Sequence, residues 1–207
     1  MDNYVEIVLR RNRGWLWPED SWGLTPMFGG DGWCHACGVP KHEQTGSIVL
    51  QRKGLKVEGA WVPNWQFDAY CLATAVAAKA AERFGIGLMP VVAPGGVPLE
   101  ASQVIITSSR VPWFDASDIT GPISAIHGKS SETCPVCGVT RWLPVGMDVL
   151  PPPPAALIDD EPAVFASPEW FGAGKQSFRQ ILWRRDVADF LVRSSPKDFK
   201  VRVARSA

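Results

Sequence analysis

The chain has 207 residues, 46% of them hydrophobic and 20% charged, with 21 basic side chains against 21 acidic ones. A chain of that length can bury a sizeable core without disulfides, and its composition excludes wholesale disorder. Zero net charge removes the usual electrostatic ground for nucleic acid or an anionic membrane as partner.

The stretch Met1 to Ile7 has no basic segment followed by an apolar one, and no apolar run approaches the ~20 residues of a membrane helix. A cytoplasmic protein with no membrane partner is expected. Val5, Ile7 and Leu9 alternate over a first strand at about 4–10, ended by Arg10-Arg11-Asn12-Arg13. The segment 14–33 is rich in Gly, Pro and Trp, with Trp15, Trp17, Trp22 and Trp33 among the chain's ten tryptophans. So long a loop either packs as a lid near the cysteines that follow or presents a recognition surface, and packing is the commoner outcome.

Residues 47–51 read as a strand and 60–63 as a short extended piece leading into a helix that starts at Asn64. Phe67, Cys71, Thr74, Ala75 and Ala78 recur at helical spacing, and Gly85 stops the run after Phe84. On that stripe Cys71 reads as a small buried hydrophobe. Two β-branched runs, 88–92 and 104–107, flank the turn Pro94-Gly95-Gly96-Val97-Pro98 and predict two more strands. The stretch 113–129 holds Asp115, Asp118 and His127 without clear periodicity. Pro151 to Pro154 followed by Asp159-Asp160-Glu161 predicts a surface connector near 150–162, the place where two lobes would divide. Beyond it 163–165 and 180–183 read as strands, 185–193 as a short helix burying Val187, Phe190 and Leu191, and Phe199, Val201 and Val203 as a closing strand. The expected fold is α+β: one domain over 1–207 with a mostly antiparallel sheet, one main helix and a short C-terminal helix.

Two short motifs tie this pattern together. Cys34-His35-Ala36-Cys37-Gly38 and Cys134-Pro135-Val136-Cys137-Gly138 repeat one another as C-x-x-C-G. Thiolates with two residues between them take neighbouring corners of a tetrahedral metal, and two such pairs complete four-coordinate Zn²⁺ with no corner left for water. Cys34, Cys37, Cys134 and Cys137 are therefore the candidate metal ligands, joining the knuckles at one structural zinc site; iron fits the same four thiolates. A reducing cytosol also favours ligation over disulfides, and the odd fifth cysteine, Cys71, does not fit a paired framework. A catalytic zinc would need histidines beside a carboxylate, and His35, His42 and His127 lack that spacing. No G-x-S-x-G, H-E-x-x-H or Walker loop occurs, and Gly172-Ala173-Gly174-Lys175 lacks the flanks of a phosphate cradle.

The two knuckles about a hundred residues apart, Trp142 after the second, and Trp170-Phe171-Gly172 with Phe178 to Leu182 before a short helix resemble the bacterial double-CXXCG family. Some members of that family are immunity proteins, which neutralise a toxin exchanged between related cells. The resemblance implies the same four cysteines as metal ligands and nothing catalytic. Two classes of function follow: a zinc-stabilised protein that binds a protein partner, such as a toxin, and a zinc-containing nucleic-acid or enzyme module. The second draws on the C-terminal stretch from Lys175, which carries nine Lys/Arg against three Asp.

Overall fold

In the computed structural model, residues 3–154 and 162–203 are described. Asp159, Asp160 and Glu161 of the expected connector lie outside them, and Pro151 to Pro154 carry no regular secondary structure. The chain order is β1 (Tyr4–Leu9), α1 (Leu24–Phe28), β2 (Ala60–Trp61), β3 (Cys71–Ala73), α2 (Thr74–Phe84), β4 (Leu88–Ala93) and β5 (Val97–Val104). There follow α3 (Ala116–His127), β6 (Ser131–Thr133), β7 (Thr140–Trp142), β8 (Val164–Phe171), β9 (Phe178–Arg184), α4 (Arg185–Ser194) and β10 (Phe199–Val203). The fold is α+β, as expected. A six-stranded sheet runs β10-β1-β9-β8-β7-β6 and a four-stranded one β2-β3-β5-β4. All their ladders are antiparallel except β7 with β8, where Arg141 faces Trp170.

Three apolar clusters follow from this layering. Val5, Ile7 and Trp183 of the larger sheet meet Ala60, Leu72 and Val104 of the smaller, with Val187 and Leu191 of α4 sealing the cluster. Val187 and Leu191 are one helical turn apart, so both point inward, and burying a side chain of Leu191's size contributes about 2 kcal/mol. On the opposite face of the six-stranded sheet Ile119 and Ile123 of α3 pack on Phe165, Phe171 and Leu182. Covered on both faces, β9 buries Ile181, Leu182 and Trp183 in succession and does not alternate. The third cluster takes Leu16, Leu24, Met27, Phe28 and Trp33 from the tryptophan-rich segment and packs them on Leu50, Trp61 and Cys71. That segment packs its aliphatic residues together with Phe28 and Trp33, and leaves Trp15 and Trp17 exposed. Cys71 is fully buried, as expected, though in strand β3 and not on the stripe of a helix.

Several boundaries differ from the sequence reading. The helix expected from Asn64 begins at Thr74, because Cys71 and Leu72 pair with Trp61 and Ala60 on one side and Gln103 and Ser102 on the other. Two flanking strands offer the backbone more partners than an isolated helical turn, so tertiary pairing overrides local propensity. The expectation of one main helix is also corrected: α2, α3 and α4 have 11, 12 and 10 residues. In place of a strand at 47–51 the chain makes single bridges, Leu16 with Leu50 and Val49 with Val92. The strand expected at 104–107 lies earlier, at Val97–Val104, since the Pro94-Gly95-Gly96 turn closes a tight hairpin onto β4. Among the described residues no helix is long and apolar enough to cross a membrane.

Candidate metal centre

Each knuckle is the turn of a small antiparallel ladder. Trp33 faces Pro40 across the first, and Thr133 faces Thr140 across the second, at equivalent positions. The N–H of Cys34 donates to the Val39 carbonyl at 2.8 Å and that of Cys134 to the Val139 carbonyl at 2.9 Å. The Gly38 and Gly138 N–H groups donate back to the Cys34 and Cys134 carbonyls at 2.7 and 2.9 Å. Closing so tight a turn needs a left-handed residue after the second cysteine, and φ is 79° at Gly38 and 73° at Gly138.

The topology places the two turns face to face. Cys34 Sγ lies 3.8 Å from Cys134 Sγ, Cys37 Sγ lies 3.6 Å from Cys137 Sγ, and all four sulfurs fall within 4.8 Å of one another. A disulfide would need ~2.05 Å. A tetrahedron with metal–sulfur bonds of ~2.3 Å has edges of about 3.8 Å, so the two short distances fit a four-thiolate metal site. Four cysteines in this arrangement can hold a metal ion such as zinc.

Their protonation is divided. At Cys134 the N–H groups of Cys137 and Val136 stabilise the thiolate and bring the thiol down to about 6. At Cys34 burial acts upward, but the N–H groups of Ala36 and Cys37 and the neighbouring thiols hold it below its ordinary value. Burial pushes Cys37 and Cys137 up, against the N–H groups of Val39 and Val139. Four crowded thiolates repel one another, and a cation at their centre would stabilise all four.

Side chains from elsewhere fix the first knuckle. Arg141 of β7, 4% exposed, donates to the carbonyls of Cys37 at 3.2 Å and Gly174 at 2.7 Å, so the second hairpin holds the backbone of the first. Ser177 Oγ donates to the same Cys37 carbonyl at 2.7 Å. Val39 and Cys134 form a small apolar cluster with the other buried cysteines, and Val139 and Trp170 close over it.

The histidines stand apart. His35 stacks on Trp33 with ring centroids 4.0 Å apart and meets the Gly30 carbonyl through Nε2. His42 turns to the Glu43 carbonyl and His127 to that of Pro144. Asp115 precedes α3, with Asp118 in its first turn. Among the described residues the four cysteines form the one cluster of metal-ligating side chains.

Sequence reasoning missed a second polar grouping. A cleft of about 160 Å³ adjoins the first knuckle and is lined by Asp68, Arg179, Trp170 and Gln66, among others. Burial pushes the Asp68 carboxyl up to about 6, and it lowers the Arg179 guanidinium. No motif joins these residues, which come from separate segments; the one local signal is the charge of Arg179 just before the apolar run of β9. No family model, curated protein or solved structure matches the chain.

Proposed function

We propose that this chain is a zinc-stapled protein-binding protein, with Zn²⁺ held by Cys34, Cys37, Cys134 and Cys137 in a structural role. The observation that carries it is the closed four-sulfur cluster with no histidine or carboxylate in the group: such a site has no open corner for substrate. Exposed aromatic surface supports a protein partner. Trp15, Trp17 and Trp65 are 52%, 45% and 48% exposed, and Trp65 packs edge to face on Trp22 at 5.3 Å. Both Trp22 and Trp65 hold positive φ, 54° and 70°, conformations that cost of order 1–3 kcal/mol each in a bulky residue. Large aromatic anchors of this kind dominate interface energetics. The double-CXXCG resemblance makes a toxin the partner, and the chain an immunity protein acting in the cytoplasm.

The nucleic-acid alternative has less behind it, because net charge is zero and two basic groups of the C-terminal stretch are engaged within the fold. Arg184 pairs with Asp186 at 2.8 Å, and Arg202 with Asp148 at 2.8 Å and Glu6 at 3.4 Å.

Elemental analysis of protein purified without added metal is expected to give one zinc per chain, and chelation to unfold it. Visible absorption of an iron–thiolate centre, or a metal-free protein that stays folded, overturns the staple. For the partner, co-expression with a toxin encoded beside this gene should rescue growth, and Trp17→Ala should weaken the complex by about 2 kcal/mol. Tight, salt-sensitive binding of mixed-sequence DNA or RNA would favour the alternative.

A further inference from the structure

The cleft beside the first knuckle contains an unpartnered cation. Arg179 lies with its guanidinium carbon 4.4 Å from the centre of the Trp170 ring. Its Nε is buried without a hydrogen-bond partner, and none of its side-chain N–H groups meets a protein acceptor among the described residues. Asp68 and Glu43 lie close enough to act on its charge, yet neither makes an ion pair with it. Asp68 Oδ2 accepts the Arg179 backbone N–H at 3.3 Å, which leaves carboxylate lone pairs free. The Gln66 side-chain amide, in a residue 7% exposed, also lacks a partner among the described residues. Met27, Phe28 and Met89 supply an apolar wall.

We propose that this cleft binds a small zwitterion of the α-amino-acid type, its carboxylate on the Arg179 guanidinium and its ammonium on Asp68. A guanidinium presents a planar fork of donors that a carboxylate matches with two parallel bonds, and a partly buried cation left unpaired is costly. A dianion such as phosphate matches the fork as well, but Asp68 and Glu43 repel its second charge. The zwitterion brings one negative group to the fork and one positive group to the carboxylates, so the charges close. An apolar cavity of ~150 Å³ accommodates benzene, so the cleft volume of about 160 Å³ suits an aliphatic amino acid of valine or leucine size. This site goes beyond the protein-binding reading and needs no metal chemistry.

The test is calorimetric titration of the protein as purified with leucine, isopentylamine, 4-methylvalerate and inorganic phosphate. Leucine is expected to bind saturably, and the amine and the carboxylate about tenfold more weakly or worse, since each lacks one charged contact. Arg179→Met, which keeps the apolar stem on Trp170, should abolish binding; Asp68→Asn should weaken it about tenfold. Circular dichroism checks that both variants fold, and Arg179→Lys, retaining charge without the fork, serves if the Met variant does not. Absence of binding by any of the twenty amino acids at about 1 mM, equal binding by Arg179→Met, or 4-methylvalerate or phosphate binding as well as leucine would each overturn the proposal.

Discussion

The two knuckles carry the same five-position motif and nearly the same backbone, yet they sit in different surroundings. Cys34 and Cys37 are 3% and 1% exposed, and a Cβ added at Gly38 would stand 2.2 Å from the Lys175 carbonyl oxygen. In the second knuckle Cys137 is half-buried and Gly138 exposed, and a Cβ at Gly138 would meet nothing within 4 Å, while the tip residues Ala36 and Val136 are exposed in both. The motif therefore sets the turn and aims the thiolates, while neighbouring segments decide what else each position tolerates. The segment at 172–177 packs against Cys37 and Gly38 of the first knuckle and reaches the second hairpin at Arg141 and Trp142, beyond its cysteines, which makes the first knuckle the clamped side of the centre and the second its open side.

This contrast can be tested from its largest expected effect downward. With zinc bound, Cys34→Ser and Cys134→Ser should each cost on the order of 5 kcal/mol, because metal binding free energy is folding free energy. Equal losses in urea denaturation are expected, since a tetrahedron does not distinguish its corners; unequal ones would show that one knuckle folds without the other. Next, Gly38→Ala should cost about 3 kcal/mol or more, combining left-handed strain with the clash at Lys175, whereas Gly138→Ala should cost about 1 kcal/mol from backbone strain alone. Similar thermal-denaturation shifts in the two variants would erase the distinction between clamped and open sides.

Arg141→Met tests the link between the knuckles. It leaves the carbonyls of Cys37 and Gly174 without their buried donor, and a loss of about 2–3 kcal/mol is expected, with faster zinc transfer to a chromogenic chelator. An unchanged transfer rate would mean that Ser177 alone holds the first knuckle. The smallest effect belongs to Val136→Ser at the exposed tip, within about 0.5 kcal/mol of the parent. A larger change would reveal that the open side is covered in solution.

The four-cysteine cluster was legible in the sequence because its geometry is local: cysteine spacing and a following glycine specify each turn before any tertiary contact forms. The outer elements were legible too, with β1, α4 and β10 carrying their apolar residues at the period of their structure and β9 marked by the continuous apolar run Ile181-Leu182-Trp183. The middle of the chain was not. Helix α3 holds Gly121 and Pro122 in its interior, and its core signal is only Ile119 and Ile123, one turn apart. At 64–73 Trp65 takes a left-handed conformation and strand pairing then captures Cys71 and Leu72, outcomes fixed by distant partners. The Arg179 cleft was hidden for the same reason, since residues spread from Gln66 to Arg179 meet there only after the sheets pack.

The sulfur pair Cys34 and Cys134 spans 100 positions of chain. During synthesis the first knuckle emerges long before the second, so an ion bound early by the proposed site would have two thiolates and surrounding water as ligands, with capture completed by the far pair. In an unfolded ensemble, closing a loop of ~100 residues costs roughly 4–5 kcal/mol of chain entropy, a cost already met once the surrounding sheet has formed. The effective concentration of the second thiolate pair therefore rises with assembly of β6, β7 and β8. For the proposed zinc site, ion retention would then be a late checkpoint, with ready exchange on the nascent chain and slow exchange on the finished one.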